Sequence, residues 1–200
     1  MRQARPTRPS NQNWHTFLKN HSKEVWSCDF VTVTDAFFGQ LYAFFILQHS
    51  SRRILQFGVT RHPNEQWVTQ QLKEATPFGA RPKYLILYND AKFGRAFDEL
   101  AESTGIKVLK TPIAAPKANG LCERFFRSLR QECLDHFLIL KERHLARGLK
   151  EYVEYYNRLR PHQGIKQHIP VVSDQPVQFS GKIISFPVLN GLHQVYQRTA

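Results

Sequence analysis

Three stretches near the start of the chain, Val25 to Thr34, Leu41 to His49 and Arg53 to Thr60, are rich in β-branched and aromatic residues and separated by short polar or Gly-containing breaks. That pattern predicts three consecutive antiparallel strands in a meander. After His62-Pro63-Asn64 the periodicity changes. Trp67, Val68, Gln71, Leu72 and Ala75 recur at helical intervals within Glu65 to Ala75, and Pro77 and Gly79 end the run. Lys83 to Leu87 and Ile106 to Leu109 are short apolar runs suited to buried parallel strands, with a helical pattern from Phe93 to Ser103 between them. Strands alternating with helices imply parallel pairing. The expected fold class is α/β: a five-stranded mixed sheet, three antiparallel strands then two parallel ones, flanked by helices.

Two prolines and a glycine break the segment Thr111 to Gly120, after which Leu121 to Phe137 reads as a long helix. Cys122, Phe126, Leu129 and Cys133 form an apolar stripe along it, while Glu123, Arg127 and Arg130 fall on a neighbouring face at i, i+4 and i+7. A second helix is predicted from about Lys141 to Leu159, with Leu145, Leu149, Tyr152, Tyr156 and Leu159 as its core stripe, and Arg160-Pro161 stops it. The chain therefore divides into a basic flexible arm with a short lead-in over residues 1–22, a core over 23–160, and an irregular tail over 161–200 with one or two short strands. Trp14, Trp26 and Trp67 read as core or core-edge residues. His162 reads either as part of a functional tail motif or as a helix-capping or solvent-facing group.

Charge narrows the field. Lys and Arg total 28 against 16 Asp and Glu, a net charge of +12, which favours a polyanionic partner such as a nucleic-acid backbone. Three cysteines, Cys28, Cys122 and Cys133, make no CxxC pair and argue against a disulfide framework, so a reducing cytoplasm is expected. No His and Cys stand at zinc-ligand spacing, and no apolar run is long enough for a signal core or a membrane span.

Three acids then stand out: Asp29 in WSCDF, Asp90 in LILYNDAKF, and Glu123 in the helix after the proline-broken segment. Leaving an unpaired carboxylate in an apolar strand is costly, which marks Asp29 as functional. Phosphodiester cleavage and transesterification need one oxygen activated and another stabilised, a task for two divalent ions held by acids converging from separate elements. Lys117, Arg124, Arg127 and Arg130 are the candidate DNA-binding residues, with a merely solvated helix face as the alternative.

At these residues the chain resembles the DDE transposases of bacterial insertion sequences and the retroviral integrases, in their RNase H-like catalytic core. The strings WSCDF, GVTRHPNEQWVTQQ, KTPIAAPKANGLCERFFRSLRQECLD and EYVEYYNRLRPHQGI carry the likeness over roughly residues 14 to 170. The resemblance implies metal-dependent DNA strand transfer with Mg²⁺ or Mn²⁺ in DNA integration and recombination. It further implies double-stranded DNA, both element ends and target, as partner, a homo-oligomer on that DNA, and a bacterial cytoplasmic, nucleoid-associated setting. By the same resemblance Asp29 is the first metal-binding aspartate, Glu123 the glutamate, and Arg130 the DNA-contacting basic residue. Relatives usually begin with a helix-turn-helix region, which this sequence lacks, so a fragment or decayed element copy is expected.

One position departs from the pattern. Where relatives read Asp-Asn-Asp or Asp-Arg-Asp, this chain reads Tyr88-Asn89-Asp90, and the family's spacing to the glutamate is met from Tyr88. Asp90 would lie about 6.6 Å farther along an extended strand, far beyond a ~2.1 Å Mg–O bond, so it can serve as a catalytic and metal-binding residue only if the backbone bends. Two readings follow: a strand-transfer core impaired at Tyr88, or a non-catalytic DNA-binding or multimerising remnant. A nuclease of RNase H type is a weaker third.

Overall fold

The structure, a computed structural model, describes residues 14–88, 90–111, 119–171 and 180–199. A short helix α1 (Trp14–His21) leads into β1 (Val25–Thr34), β2 (Gln40–Gln48) and β3 (Ile54–Thr60). Then come α2 (Glu65–Ala75), β4 (Tyr84–Tyr88), α3 (Arg95–Ser103) and β5 (Lys107–Thr111). The second half contains α4 (Gly120–Glu132), α5 (Glu142–Arg158), β6 (Ile183–Val188) and β7 (His193–Arg198).

The main sheet has five strands in the order β3-β2-β1-β4-β5. β1, β2 and β3 pair antiparallel, while β4 runs parallel to β1 and β5 parallel to β4. This is the mixed five-stranded sheet, three antiparallel strands then two parallel ones, that the alternation of patterns implies. Strand periodicity divides the core. Val31 and Val33 of β1, with Leu41, Ala43, Phe45 and Leu47 of β2, pack against Leu121, Phe125 and Leu129 of α4 and Leu145, Leu149 and Tyr152 of α5. Their alternates, Trp26, Cys28, Phe44 and Ile46, pack with Val68 and Leu72 of α2 and Phe97 of α3. Side chains repeat every two residues, so both faces of a central strand can be buried at once.

Local chemistry explains the boundaries. Asn64 caps α2 by accepting from the Trp67 N–H at 2.9 Å. Gly58 lets β3 approach that helix, because a Cβ there would lie 2.8 Å from the Trp67 ring. α4 is shorter than its sequence pattern: the backbone leaves the helix at Cys133 (φ −144°), burying Cys133 and Leu134 before a 3-10 turn. Its packed stripe uses Phe125 rather than Phe126, which is only half-buried.

The segment after Pro161 contains a β6–β7 hairpin docked on the helices: His193 stacks on Tyr155 at 4.6 Å and bonds the Glu132 carbonyl at 2.7 Å. α1 buries no residue; Phe17 and His21 rest against Tyr84. Among the described residues no helix is long and apolar enough to cross a membrane. The basic arm over residues 1–13 and Lys117 lie outside the described residues.

Candidate active site

The register that sends Val31 and Val33 toward α4 sends Asp29 to the same side of β1. In β4, Leu85 and Leu87 face the α2 side, so Tyr88 faces α4 as well. Glu123 stands in the first turn of α4, solvent-exposed. Three elements thus bring an aspartate, a phenol and a glutamate to one cleft, and the Tyr88 hydroxyl donates to Glu123 Oε1 at 2.8 Å.

The electrostatics of this cleft are unbalanced. Burial pushes the Asp29 carboxyl up to about 7, against a 2.7 Å hydrogen bond from the Phe30 N–H, and the charges of Asp90 and Glu123 push in the same direction as burial. Burial first, and then the bond to Glu123, hold the Tyr88 hydroxyl above its ordinary value, so it stays a neutral donor at physiological pH. Cys28 and Cys122 lie fully buried beside the cleft, and burial raises both thiols far above reactive range. Asn119 ties the start of α4 to β1 through the Cys28 carbonyl at 3.4 Å.

Asp90 takes a different course. β4 ends at Tyr88, and the Asp90 N–H bonds back to the Tyr88 carbonyl at 2.9 Å, so the strand does not carry Asp90 onward in register. Its carboxylate accepts from the Lys92 N–H at 2.9 Å and pairs with Lys92 Nζ at 2.8 Å. Burial acts to raise its pKa, but the bonds and charge of Lys92 outweigh it and hold the carboxyl below the usual range. Lys92 is itself steadied over the Phe30 and Tyr42 rings. Asp90 is near enough for its charge to act on Asp29, yet it is committed to a local ion pair.

Integrase-type chemistry calls for a carboxylate set able to hold hard divalent cations. Among the described residues no three His, Cys, Asp or Glu side chains are grouped to hold a metal ion. Two carboxylates and a neutral phenol do not make that set.

The basic candidates are also placed. Arg124 and Arg127 are exposed on α4, and Arg124 bonds the Gly120 carbonyl of its own helix at 3.0 Å. Arg130 reaches across to β1 and donates to the Thr32 carbonyl at 3.0 Å, which links α4 to the sheet while leaving donors free. His162, far from being solvent-facing, is buried and bonds the Tyr156 carbonyl at 2.9 Å. Arg52, which no local pattern singles out beyond the doubled arginine of Ser51-Arg52-Arg53, lies half-buried near the start of α4.

Comparison with known proteins bears on the fold. Residues 104–170 match the family model described as the integrase core domain. An uncharacterized transposase-like protein of Haemophilus influenzae is 26% identical over 160 residues, spanning 78% of this chain and 72% of that protein. Among solved structures, the fold overlays on a chain of the simian T-cell lymphotropic virus intasome in complex with the PP2A regulatory subunit B56 gamma. That match has a TM-score of 0.60 at 13% identity, covering 88% of this chain and 67% of that one. The HTLV-2 integrase catalytic core domain in complex with magnesium, in its trimeric form, gives a TM-score of 0.53 at 12% identity over 74% of this chain and 93% of that one. The BIV integrase catalytic core gives 0.54 at 16% identity, covering 74% and 91%. At these identities the structural likeness is one of fold.

Proposed function

We propose that this chain acts on double-stranded DNA as an integrase or transposase core in DNA integration and recombination, with metal-dependent strand transfer impaired by Tyr88. The observation that carries the reading is the 2.8 Å hydrogen bond from the Tyr88 hydroxyl to Glu123, in the cleft that also holds Asp29. A divalent ion would supply charge stabilisation of the attacking and leaving oxygens in such a core. Here Asp29 and Glu123 would be its protein ligands, and the phenol occupies the place of the third acid without adding charge.

The residues themselves define what is left. Glu123 is open to solvent with a neutral donor as its neighbour, and Asp29 titrates near 7, so the cleft carries less negative charge than a three-carboxylate site. DNA binding is separable from that chemistry, because affinity comes from phosphate neutralisation spread over many Lys and Arg side chains. A net charge of +12 and the exposed Arg124, Arg127 and Arg130 support it. We place the DNA-binding and cleft functions in residues 23–160, with residues 1–22 as a basic arm, 161–200 as a tail, and a homo-oligomer on element ends and target in the bacterial nucleoid. The pairing of Asp90 with Lys92 favours the second reading, a DNA-binding and multimerising protein without catalysis.

Tyr88→Asp tests the choice. The substitution is expected to tighten Mn²⁺ binding, measured by calorimetry, by at least about tenfold, and to confer metal-dependent joining of the element's own terminal DNA. Asp90→Asn in the unmodified chain is expected to change neither. Robust joining by the unmodified chain that Asp90→Asn abolishes would overturn the impaired-centre reading, and a Tyr88→Asp protein that binds metal but joins nothing would favour the non-catalytic one.

A further inference from the structure

On the α4 side of the sheet, the turn between β2 and β3 and the chain after Pro161 close around a cavity of about 510 Å³. Arg52, Arg124, Ser128, Gln163, Gly164 and Gln167 line it. Arg160 also borders it, but its Nε and Nη2 donate to Glu132, at 2.8 and 2.5 Å, and its Nη1 meets His162 Nδ1 at 3.2 Å. Arg52 and Arg124 are different: neither forms an ion pair with a carboxylate among the described residues.

Arg52 is held there by the backbone. It sits at φ +65°, a left-handed conformation that an ordinary side chain adopts only under constraint, and its N–H bonds the Gln48 carbonyl at 3.0 Å. Gly164 presents its bare Cα to the guanidinium, since a Cβ built there would lie 3.4 Å from Arg52 Nε. Beneath them His49 is buried and bonds the Ser27 hydroxyl at 2.5 Å, and burial together with the charges of Arg52 and Arg124 keeps it neutral, with its pKa pushed down to about 4. Burial and the charge of Arg124 likewise lower the pKa of Arg52. Two like charges are therefore gathered at a partly desolvated concavity with neutral amide and hydroxyl donors around them and no internal anion. Such an arrangement is relieved by an external anion with several acceptor oxygens.

We propose that this cavity is a phosphate-receiving subsite, filled by a backbone phosphodiester of the bound DNA and held by Arg52 and Arg124. It rests on the reading that the chain binds DNA. The site adds to the exposed α4 face a contact whose guanidinium is preset by the fold. Arg124 follows Glu123 directly in α4, so a strand anchored here runs beside the acidic cleft.

The test uses the full chain and a fluorescently labelled DNA duplex, with affinity read by anisotropy across a salt series. Arg52→Asn removes the charge while keeping a residue type that tolerates positive φ, so the turn is preserved. Binding is expected to weaken about tenfold, with the salt slope falling by about one. Gly164→Asp, which sets a carboxylate beside Arg52 and leaves the arginine in place, is expected to give a similar loss. Arg130→Ala reports on the exposed face and is expected to be additive with Arg52→Asn. A wild-type chain that binds with steep salt dependence while Arg52→Asn and Gly164→Asp match it would overturn the subsite alone. A wild-type chain that fails to bind DNA would overturn the DNA-binding reading and the subsite with it. Thermal stabilisation by inorganic phosphate that Arg52→Asn removes, with DNA affinity unchanged, would assign the pocket to free phosphate and overturn the DNA assignment.

Discussion

Helix α4 carries a glutamate at each end, and the two live in opposite circumstances. At the C-terminal end, Glu132 accepts from Arg160 Nε and Nη2, at 2.8 and 2.5 Å, and from the Tyr152 hydroxyl at 3.0 Å, while its carbonyl takes His193. At the N-terminal end, Glu123 is exposed and has one neutral donor, Tyr88. Across the cleft from Tyr88, Asp29 forms no salt bridge among the described residues, and burial outweighs the charge of Lys92 to raise its pKa to about 7. A carboxylate whose lone pairs are filled by the protein's own cations serves the fold, whereas carboxylates gathered without one raise the local electrostatic cost and are available to something outside. One helix thus carries a carboxylate committed to the fold at one end and a carboxylate open to solvent at the other.

The contrast is tested most strongly at Glu132. Glu132→Gln keeps the size of the side chain but leaves the Arg160 guanidinium without its counter-charge in a site only about a quarter exposed. Removing one partner of a well-buried pair costs a few kcal/mol, and discounting for partial exposure gives about 2–3 kcal/mol, or a fall in melting temperature of roughly 4–12 °C for a chain of this size. Thermal or urea unfolding measures it. A loss below about 1 kcal/mol would mean that Glu132 is no more structural than Glu123, and the comparison would collapse.

Asp29 should show the opposite sign. Its carboxyl titrates near 7 in the fold against an ordinary value of 3.8, so between those pH values the native state holds more protons than the unfolded chain. Stability therefore falls as pH rises from about 4 to 7, and the cost is fully present above 7. Asp29→Asn removes the charge and is expected to stabilise the protein by about 1–2 kcal/mol at pH 8, a gain that shrinks to near zero by about pH 4. Melting curves across pH decide it. A variant less stable than the parent at pH 8 would show that Asp29 is supported in its charged form after all.

Much of this division could be read from the chain, for reasons that differ by residue. β1 and α2 were legible, because a β-branched and aromatic run with Asp29 as its one charged residue, and a helical period starting after His62-Pro63-Asn64, are local signals. Tyr88 was visible as a departure from a spacing pattern. Its bond to Glu123 was not, since contact between residues 35 apart depends on how β4 and α4 are set against β1. Asp90 was legible as an acid in the right string but not in its commitment to Lys92, which follows from the strand ending at Tyr88. α1 left no trace in the pattern because it buries nothing and relies on aromatic contact with a strand far along the chain. Arg52 is a turn residue whose setting is made by Gly164 and Arg124, which no local pattern connects to it.

The smallest expected effect sharpens the comparison most. Glu123→Gln stands at the end of α4 opposite Glu132, in an exposed first turn. The amide oxygen of glutamine can still accept from the Tyr88 hydroxyl, so the one hydrogen bond survives. What is lost is a negative charge near a helix N-terminus, worth a few tenths of a kcal/mol to at most about 1 when exposed. What is gained is relief for Asp29, on which the Glu123 charge acts unfavourably. The two nearly cancel, and the melting temperature is expected to move by no more than about 2 °C. The same substitution is expected to lower the titration midpoint of Asp29, followed by carboxyl-selective NMR, because one of the charges raising it is gone. A melting-temperature loss comparable to that of Glu132→Gln would show Glu123 to be structural, and with it the Tyr88–Glu123 pair would become a fold contact rather than part of the proposed functional cleft.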